Sequence, residues 1–487
     1  MIYNGLIHRC LKIASAFQYF QFKKLLRNPR KAQEIVLNTY LARLEVQNYS
    51  EFCKRYPITR YQDIERSILQ QMEQGDRSFI DDVIRFEPTS GSVGAIKWIP
   101  YTTQFCSELD KASSPWLYDL YRKYPLIGNG KHYWSLSWLP NDLREKASNN
   151  ETEIFPWYKK IVLSHLMAIN DEVVKKETSQ EAIEETLYYL CKEDISLFSF
   201  WSPTLILSLL ENLFANKEVI VARLESSKPD KAAILSKHKE LTKDFTKEMW
   251  PNLNLISAWG TSTSRQWADV VTILFPHANF QGKGLWATEG VITIPFEGKY
   301  PLAINSHFYE FQCLETSQVL CSWELKAGQI VKPILTTGSG LTRYILDDKI
   351  KVESFMGQTP CFEFLGRDRV SDFVGEKLDF DLLEKLSSKI ASKLKAKFIT
   401  VLFHNSGKKY YELLVESKNT FAIDSNDFEE DLMKVYHYRL ARELEQLGEA
   451  KIKMVSSGVD YYYEKCHNEI KGNIKFEIVM PVYEDKK

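Results

Sequence analysis

The sequence predicts an α/β protein: a large N-terminal body of sheets packed with helices, joined by a hinge to a smaller α+β C-terminal domain. Three observations predict this organisation. At about 100–200 residues per domain, a chain of 487 residues is long enough for two to four domains. Helical patterns alternate with short apolar runs, which favours strands layered with helices. The composition changes after Gly366, so we predict domains at 1–366 and 367–487.

The first part of the chain has the apolar spacing of helices. Its first 33 residues contain no acidic side chain, and we predict a basic amphipathic helix there rather than a transit peptide. The predicted packing face comprises Leu6, Leu11, Ile13, Phe17 and Phe20. Helices are expected over 31–73, with a break near Pro57 and a restart around 61–71. A strand at 79–86 then leads into the loop 88–94.

Short apolar runs mark the elements that follow. Helical patterns alternate with the runs 197–201 and 204–213, and short strands or apolar cores are expected at 253–259, 270–275 and 291–294. The second domain is predicted as a helix at 378–394, paired strands at 398–403 and 410–415, a helix at 426–448 and a last strand, Lys451–Val455.

The composition excludes several classes of protein. Lys and Arg total 63 against 64 Asp and Glu, and this balance argues against a dedicated nucleic-acid binder. The longest apolar stretch, 195–210, is interrupted by serines and a proline and is too short to span a bilayer. The 8 cysteines form no CxxC pair, which predicts reduced thiols in a cytoplasmic protein.

A loop rich in Ser and Gly is the first candidate for chemistry. It contains Ser90, Gly91, Ser92, Gly94 and Lys97. Glycines let backbone N–H groups approach an anion, and hydroxyls and an ammonium add donors for phosphate. The spacing GxxGxxK differs from a Walker A loop. The alternative is a turn between two strands.

Two later segments carry carboxylates beside glycines. Thr288 and Glu289 lie in the segment 282–290, and a single carboxylate there suits Mg²⁺, although a solvated glutamate is the alternative. Asp348 ends the segment 335–348, where a carboxylate can accept ribose hydroxyls; an ordinary β-hairpin is the alternative.

The Ser/Gly loop, the Thr288-Glu289 segment and the segment that ends in Asp348 occur in this order along the chain. They are followed by Gly366-Arg367 at the domain boundary and by Lys475 in a C-terminal Gly-x-x-Lys. Together these segments resemble the adenylate-forming enzymes. The closer likeness is to the auxin-responsive acyl-acid amido synthetases, the Gretchen Hagen family, which has bacterial members. Details typical of that branch are Asn28-Pro29 with Gln33, Tyr56-Pro57, Tyr61-Gln62-Asp63, and the segments 97–102, 340–344 and 375–378. The resemblance covers residues from about 28 to 481.

The resemblance implies a role for each candidate residue. The Ser/Gly loop with Lys97 closes over the phosphates of ATP, Thr288 lies near the α-phosphate, and Glu289 helps to hold Mg²⁺. Asp348 accepts the ribose hydroxyls in a nucleotide site that includes Tyr344, and Arg367 contacts ribose or phosphate. Lys475 enters with the C-terminal domain to bridge acyl and phosphate oxygens.

Three positions depart from the family pattern. Leu285 stands where an aromatic residue packs on adenine, and Trp286, one residue later, is the expected substitute. Asp347 replaces a glycine beside the ribose, and Thr342 replaces a tyrosine.

The acyl pocket is expected near Trp259, Phe280 and Trp286, although plain core packing is an equal alternative. Trp138 and Trp201 are predicted to be core residues.

The implied activity is adenylation of a small carboxylic acid by ATP with Mg²⁺, followed by acyl transfer to an amine, usually of an amino acid. An acid–thiol ligase that uses the same adenylate is the first alternative. A non-catalytic relative that binds a nucleotide or an acid is the second.

Overall fold

The computed structural model describes most of the chain. The described residues are 2–75, 77, 79–88, 97–135, 165–169, 173, 176, 178–261, 264–367, 370–371, 376, 378–404, 408–418, 426–443, 447–466 and 479–482. The chain divides into two compact units, of which the first comprises Met1–Thr89 and Ile96–Gly366. The second comprises Ser90–Ala95 and Arg367–Lys487.

Helices open the first unit, as predicted. They are α1 (Ile2–Leu25), α2 (Pro29–Arg43), α3 (Tyr49–Arg55) and α4 (Tyr61–Gln74). The Asn28 side chain accepts a hydrogen bond from the Lys31 N–H at 3.0 Å and caps α2, whose first residue is a proline. Asn48 caps α3 in the same way. Gly75, in the left-handed conformation at φ 64°, ends α4.

The N-terminal helix forms, and Leu11 of its predicted packing face contacts the hydrophobic core, but three of the five predicted residues are exposed. Ile13, Phe17 and Phe20 are 74%, 71% and 60% exposed, whereas Tyr19 and Phe22 are buried. The exposed and the buried residues form two apolar stripes on different sides of the same helix. Contacts with residues that are distant in the sequence determine which stripe is buried. Tyr19, for example, packs against Phe296 with ring centroids 5.0 Å apart.

A two-stranded antiparallel ribbon follows. It pairs β1 (Val83–Pro88) with β2 (Trp98–Thr102), and α5 (Thr103–Lys123) begins directly after β2. The predicted strand at 79–86 therefore starts four residues later, and the predicted loop lies largely outside the described residues. Thr102 ends β2 and also caps α5, because its hydroxyl accepts the Phe105 N–H at 3.0 Å.

The first unit contains a parallel sheet. Its strands, in spatial order, are β3 (Lys131–Trp134), β4 (Ile195–Ser199), β5 (Leu255–Ala258) and β6 (Asn279–Gly282). The helices between them are α6 (Ser179–Lys192), α7 (Pro203–Ala215), α8 (Lys217–Glu225), α9 (Pro229–Lys237), α10 (Lys243–Met249) and α11 (Arg265–Leu274). The run at 270–275 is thus mainly the apolar end of α11 rather than a strand.

Both faces of this sheet are covered, as expected for parallel strands. Leu197 and Leu255 pack in a hydrophobic cluster with residues of α1 and α5. Phe198 and Ile256, one residue later, pack in a second cluster with the helices between the strands. All four strands run in the same direction, so their carboxyl ends meet at one edge.

Antiparallel strands complete the first unit. The short pair β7 (Trp286–Ala287) and β8 (Gly290–Val291) flanks Thr288 and Glu289. The larger sheet has the order β10-β9-β11-β13-β14, with β12 paired to β11. These strands are β9 (Phe308–Cys313), β10 (Val319–Cys321), β11 (Ile330–Thr336), β12 (Tyr344–Ile345), β13 (Asp348–Met356) and β14 (Thr359–Arg367).

The second unit is α+β, with strand order β19-β18-β17-β20 in its main sheet. Its elements are β15 (Val370–Ser371), β16 (Leu378–Asp379), α12 (Phe380–Leu394), β17 (Phe398–His404), β18 (Tyr410–Glu416), α13 (Asn426–Met433), α14 (Tyr436–Glu443), β19 (Lys451–Val455), α15 (Gly458–Cys466) and β20 (Val479–Val482). The predicted pairing of strands at 398–403 and 410–415 is confirmed, and the two strands are antiparallel.

The helix predicted at 426–448 is instead two helices, α13 and α14. The break brings Tyr438 and Arg442 back to the Glu429 carboxylate, which accepts from the tyrosine hydroxyl and from the Arg442 Nε–H at 2.6 Å each. Nine residues along one continuous helix span about 13 Å, so Tyr438 could not reach Glu429 without the break.

The described part of the chain has no helix that is long and apolar enough to cross a membrane. Seven cysteines of the described part of the chain are unpaired: Cys10, Cys53, Cys106, Cys191, Cys313, Cys321 and Cys361.

Candidate nucleotide and acid site

Strand β2 lies next to one of the predicted motifs and is hydrogen-bonded to two others. The Tyr101 hydroxyl donates to the Thr288 carbonyl at 3.3 Å, and the Thr102 hydroxyl donates to the Gly338 carbonyl at 2.7 Å. Lys97 immediately precedes this strand. The end of the Ser/Gly loop, the Thr288-Glu289 pair and the loop at 336–340 therefore lie side by side in the first unit.

Lys97 and Glu289 lie near the same aromatic side chain. The Lys97 Nζ lies 5.8 Å from the centroid of the Tyr61 ring, and the Tyr61 hydroxyl accepts the Trp98 N–H at 2.8 Å. Burial raises the pKa of Tyr61, and the nearby charges of Glu65 and Glu289 raise it further. Glu289 also adds to the raised pKa of Tyr101, for which burial is the main cause. A cation and a carboxylate thus lie in the same region of the first unit, as a Mg²⁺–phosphate ligand requires.

A buried hydrogen-bond network joins two of these motifs. The carboxylate of Glu108 accepts from the Gly338 N–H, the Tyr40 hydroxyl and His307 Nδ1 at 2.9, 2.7 and 2.9 Å. His307 Nε2 in turn accepts the Val291 N–H at 3.2 Å, which assigns the ring proton to Nδ1. The Gly338 loop and the strand after Glu289 are thereby joined through two side chains.

The net effect of this network is a charged Glu108. Burial by itself raises the pKa of Glu108, but hydrogen bonds from His307, the Gly338 N–H and Tyr40 outweigh it, so that the pKa is lowered.

Two glycines are required by close packing at this point. A Cβ at Gly338 would lie 2.7 Å from the Phe105 backbone nitrogen and 2.9 Å from Glu108 Oε1. A Cβ at Gly290 would lie 2.7 Å from Leu335 and 3.0 Å from His307 Nε2. Any side chain at either position would push apart the segments that the network joins.

The segment 342–348 is anchored to the loop before α4. The Ile345 N–H donates to the Thr59 carbonyl, and the Thr59 hydroxyl donates to the Thr342 carbonyl, each at 3.0 Å. Tyr344 is buried within this segment, and Asp348, 4% exposed, begins β13. Thr342, which stands where the family has tyrosine, thus contributes its backbone carbonyl to this contact.

The additional acid beside the predicted ribose site is neutralised. Asp347 forms an ion pair with Arg60, with 2.8 Å between Oδ1 and Nη1. Arg343 also has a structural role, because its guanidinium makes a buried ion pair with Glu310 at 2.9 Å.

Lys283, the residue after β6, lies against a group of indole rings. Its ammonium donates to the Ser199 hydroxyl at 2.8 Å. Its Nζ lies 5.1, 5.3 and 5.9 Å from the ring centroids of Trp201, Trp116 and Trp134. Burial lowers the pKa of Lys283 to about 7. We call the five indoles of this region the tryptophan cluster: Trp116, Trp134, Trp201, Trp259 and Trp286.

The predicted acyl-pocket residues divide between two places. Trp259 and Trp286 belong to the tryptophan cluster, where both contact Trp201 with ring centroids 6.0 and 6.3 Å away. Trp201, predicted to be core, is partly exposed there. Phe280 packs instead against Gly260 and the hydrophobic core. Trp286 also contacts Trp116, with ring centroids 6.0 Å apart.

Ser90, Gly91, Ser92, Gly94, Trp138 and Lys475 lie outside the described residues. Arg367 ends β14 and is the first residue of the later segment of the second unit.

The residues that are described fit a magnesium ion held mainly by its substrate. Among them, no group of three or more His, Cys, Asp or Glu side chains is arranged to bind a metal. Mg²⁺ is usually bound by one or two carboxylates together with substrate phosphates, and the partly exposed Glu289 can supply one.

Sequence reasoning missed three residues of this region. Glu108 and His307 lie outside the motifs and 199 residues apart in the chain, so only the fold brings them together. Lys283 lies within the motif 282–290, and its position directly after a strand that closes a parallel sheet was the available signal.

Comparison with known proteins gives a consistent result. Residues 16–280 match the GH3 family N-terminal domain, and residues 300–367 match the GH3 family central domain. A probable indole-3-acetic acid-amido synthetase, GH3.11 of Oryza sativa subsp. japonica, is 23% identical over 278 residues. That match covers 47% of this chain and 42% of the rice protein, so it spans less than half the length of this curated relative.

Solved structures share the fold over nearly the whole chain. The GH3.15 acyl acid amido synthetase aligns with a TM-score of 0.74 at 18% identity and covers 94% of this chain and 92% of its own. The AtGH3.15 acyl acid amido synthetase in complex with 2,4-DB aligns with a TM-score of 0.76, also at 18% identity, and covers 96% and 94%. The predicted fold class, with a large N-terminal and a smaller C-terminal domain, is confirmed.

Proposed function

The chain belongs to the GH3 family, and from that premise we propose that it is an ATP-dependent acyl acid amido synthetase. It activates a small carboxylic acid as an acyl-adenylate and transfers the acyl group to an amine, in our proposal that of an amino acid. Residues 1–366 would bind ATP and acid, and 367–487 would form a mobile C-terminal domain. The cysteine pattern supports a cytoplasmic location.

One observation carries this proposal. Tyr101 and Thr102, next to the loop that ends in Lys97, hydrogen-bond to Thr288 and Gly338. Three segments that resemble nucleotide-binding motifs are thus adjacent, although 187 and 236 residues separate the bonded partners in sequence. The Glu108–His307 network fixes two of these segments from behind.

In the first step, a carboxylate oxygen attacks the α-phosphorus of ATP. The new O–P bond forms as the bond to the β-phosphate breaks, and pyrophosphate leaves with its electron pair. Lys97, with the loop at 90–94, would hold the phosphates, and Asp348 and Tyr344 would hold the nucleoside. Lys475 and Arg367 would add positive charge from the C-terminal domain. When Mg²⁺ is bound by Glu289 and phosphate oxygens, it neutralises negative charge.

In the second step, the amine nitrogen attacks the acyl carbonyl carbon and AMP leaves. The nitrogen loses a proton, so an amide, AMP and one proton are released. A carboxylate alone cannot react in this way because it has no adequate leaving group. We propose that the C-terminal domain rotates between the steps about a hinge near 366–367, which withdraws Lys475 and admits the acceptor.

Two other functions stay open to test. An acid–thiol ligase would use the same adenylate and release a thioester. A non-catalytic relative would bind ATP or acid without turnover. The pairing of Asp347 with Arg60 weakens the second alternative, since it neutralises one of the departures that motivated it.

Product analysis discriminates between these functions. Purified protein, MgATP and a panel of aromatic, indolic and fatty acids are incubated with mixed amino acids or with coenzyme A, and the products are identified by mass spectrometry. We expect an N-acyl amino acid with stoichiometric AMP. A thioester with no amide would identify a thiol ligase, and ATP binding without AMP release would identify a non-catalytic protein.

A further inference from the structure

Lys283 carries a charge for which the described residues provide no counter-ion. Its ammonium donates to Ser199, and the other groups within reach are the indoles of Trp116, Trp134 and Trp201. An ammonium can donate three hydrogen bonds, so two donors are left after the one to Ser199. Lys283 is partly exposed, and the loss of the remaining hydration of its ammonium is unfavourable unless a partner compensates, although cation–π attraction to the indoles offsets part of the cost.

The position of Lys283 is one where ligands are expected. Trp134 and Ser199 end β3 and β4, and Lys283 directly follows β6. In open α/β sheets, ligands bind in the crevice outside the carboxyl ends of the strands. The segment after Lys283 continues through β7 to Thr288, proposed to lie near the α-phosphate, and to Glu289, proposed to help hold Mg²⁺.

We propose that Lys283 binds the carboxylate of the acid substrate, while the tryptophan cluster packs against the apolar body of that acid. This inference rests on the proposed function, because it assigns a residue to the acid that is adenylated. The indoles that surround the ammonium offer apolar surface on either side of it. The carboxylate would satisfy the two remaining donors of the ammonium.

A carboxylate could also come from the amino acid acceptor. We assign the acid because the indoles favour an apolar body and because Trp286 links the cluster to the strand before Thr288. The kinetic experiment below separates the two sources.

The first test is a binding titration without nucleotide. Quenching of tryptophan fluorescence is measured with phenylacetate and hexanoate and with their neutral amides, at pH 6.0 and pH 8.5. The groups around the ammonium are indoles and a serine hydroxyl, none of which titrates in this range, and burial is the cause of its lowered pKa. For a pKa of about 7, the charged fraction falls roughly 30-fold between the two pH values.

We therefore expect the wild type to bind at least one of the carboxylates roughly 30-fold more weakly at pH 8.5, and to bind its amide weakly at both values. Lys283→Met, which keeps an apolar chain between the indoles, should lose the carboxylate preference and the pH dependence. Lys283→Arg should keep the preference without the pH dependence. Equal binding of carboxylate and amide, no pH dependence in the wild type, or no binding of either acid would overturn the inference.

The second test measures acid-dependent ATP–pyrophosphate exchange, with Lys239→Met as a control at an exposed lysine. Lys283→Met should raise the KM for the acid at least tenfold and leave the KM for ATP within twofold. An increase in the KM for the amino acid during transfer, with the KM for the acid unchanged, would overturn the assignment. If the wild type catalyses exchange and Lys283→Met leaves that exchange unchanged, this inference is wrong but the proposed function stands. If acid binding depends on Lys283 but the wild type catalyses no exchange, the proposed function is wrong but this inference stands.

Discussion

At the scale of single residues, two adjacent aspartates have different environments. Asp348 is buried at the start of β13, whereas the side chain of Asp347 is 43% exposed and paired with an Arg60 that is 51% exposed. The resemblance assigned Asp348 and not Asp347 to the ribose, but the sequence could not show the ion pair that neutralises Asp347, because Arg60 lies 287 positions away.

This difference predicts that two matched substitutions change ATP binding to different extents. Asp348→Asn should weaken ATP binding about tenfold or more, since hydrogen bonds to a charged group contribute about 1.5–3 kcal/mol. Asp347→Asn should change ATP binding less than about fivefold, because an exposed ion pair contributes about 0–1 kcal/mol. Isothermal titration calorimetry with ATP measures both, after circular dichroism has shown that each variant is folded. Equal losses would remove Asp348 from the ribose site.

At the scale of elements, the Glu108–His307 network links helix α5, the loop at 336–340 and strand β8. Glu108→Gln should destabilise the first unit by about 1.5–3 kcal/mol at pH 7, because an amide replaces a carboxylate that accepts several hydrogen bonds. The exposed Glu34→Gln is the matched control and should change the free energy of unfolding by about 0.5 kcal/mol or less.

The pH dependence of that difference has a definite sign. The pKa of Glu108 is lowered in the folded protein, so its ionised form stabilises the fold above the unfolded pKa of about 4.3. This contribution is lost as the pH falls through the lower, folded pKa. Urea denaturation should therefore show a smaller difference between wild type and Glu108→Gln at pH 4 than at pH 7. A difference that is constant with pH would show that the charge of Glu108 does not contribute.

Helix α1 shows which part of the fold could be predicted from the sequence and which could not. Its apolar spacing correctly predicted a helix, but two apolar stripes compete on it. The choice between them depends on Phe296 and other residues far along the chain. The motifs were recognisable because each is formed by residues that are close in the sequence. Glu108, His307 and Lys283 were not given roles because their partners are distant in the sequence.

The orientation of α1 is tested by two phenylalanines. Phe22 is fully buried and Phe17 is 71% exposed on the same helix. Phe22→Ala should lower the free energy of unfolding by about 3–5 kcal/mol, and Phe17→Ala should change it by less than about 0.5 kcal/mol. Denaturant titrations give both values. The reverse order would show that α1 packs through the stripe that the sequence suggested.

At the scale of the whole molecule, the division into two compact units after Gly366 underlies the proposed two-step reaction. If Lys475 serves adenylation alone, Lys475→Ala should slow pyrophosphate exchange by a factor of about 100 or more and transfer from preformed acyl-adenylate by less than about fivefold. Single-turnover measurements of each half-reaction provide the comparison. Equal losses in both steps would argue against rotation of the C-terminal domain.

The central claim is that this chain adenylates a carboxylic acid. Its most direct test is carboxylate-dependent ATP–pyrophosphate exchange by the purified protein across a panel of aromatic, indolic and fatty acids. We expect exchange that requires Mg²⁺, depends on one class of acid and is absent when no acid is added. Measurable ATP binding without exchange for any acid in the panel would contradict it.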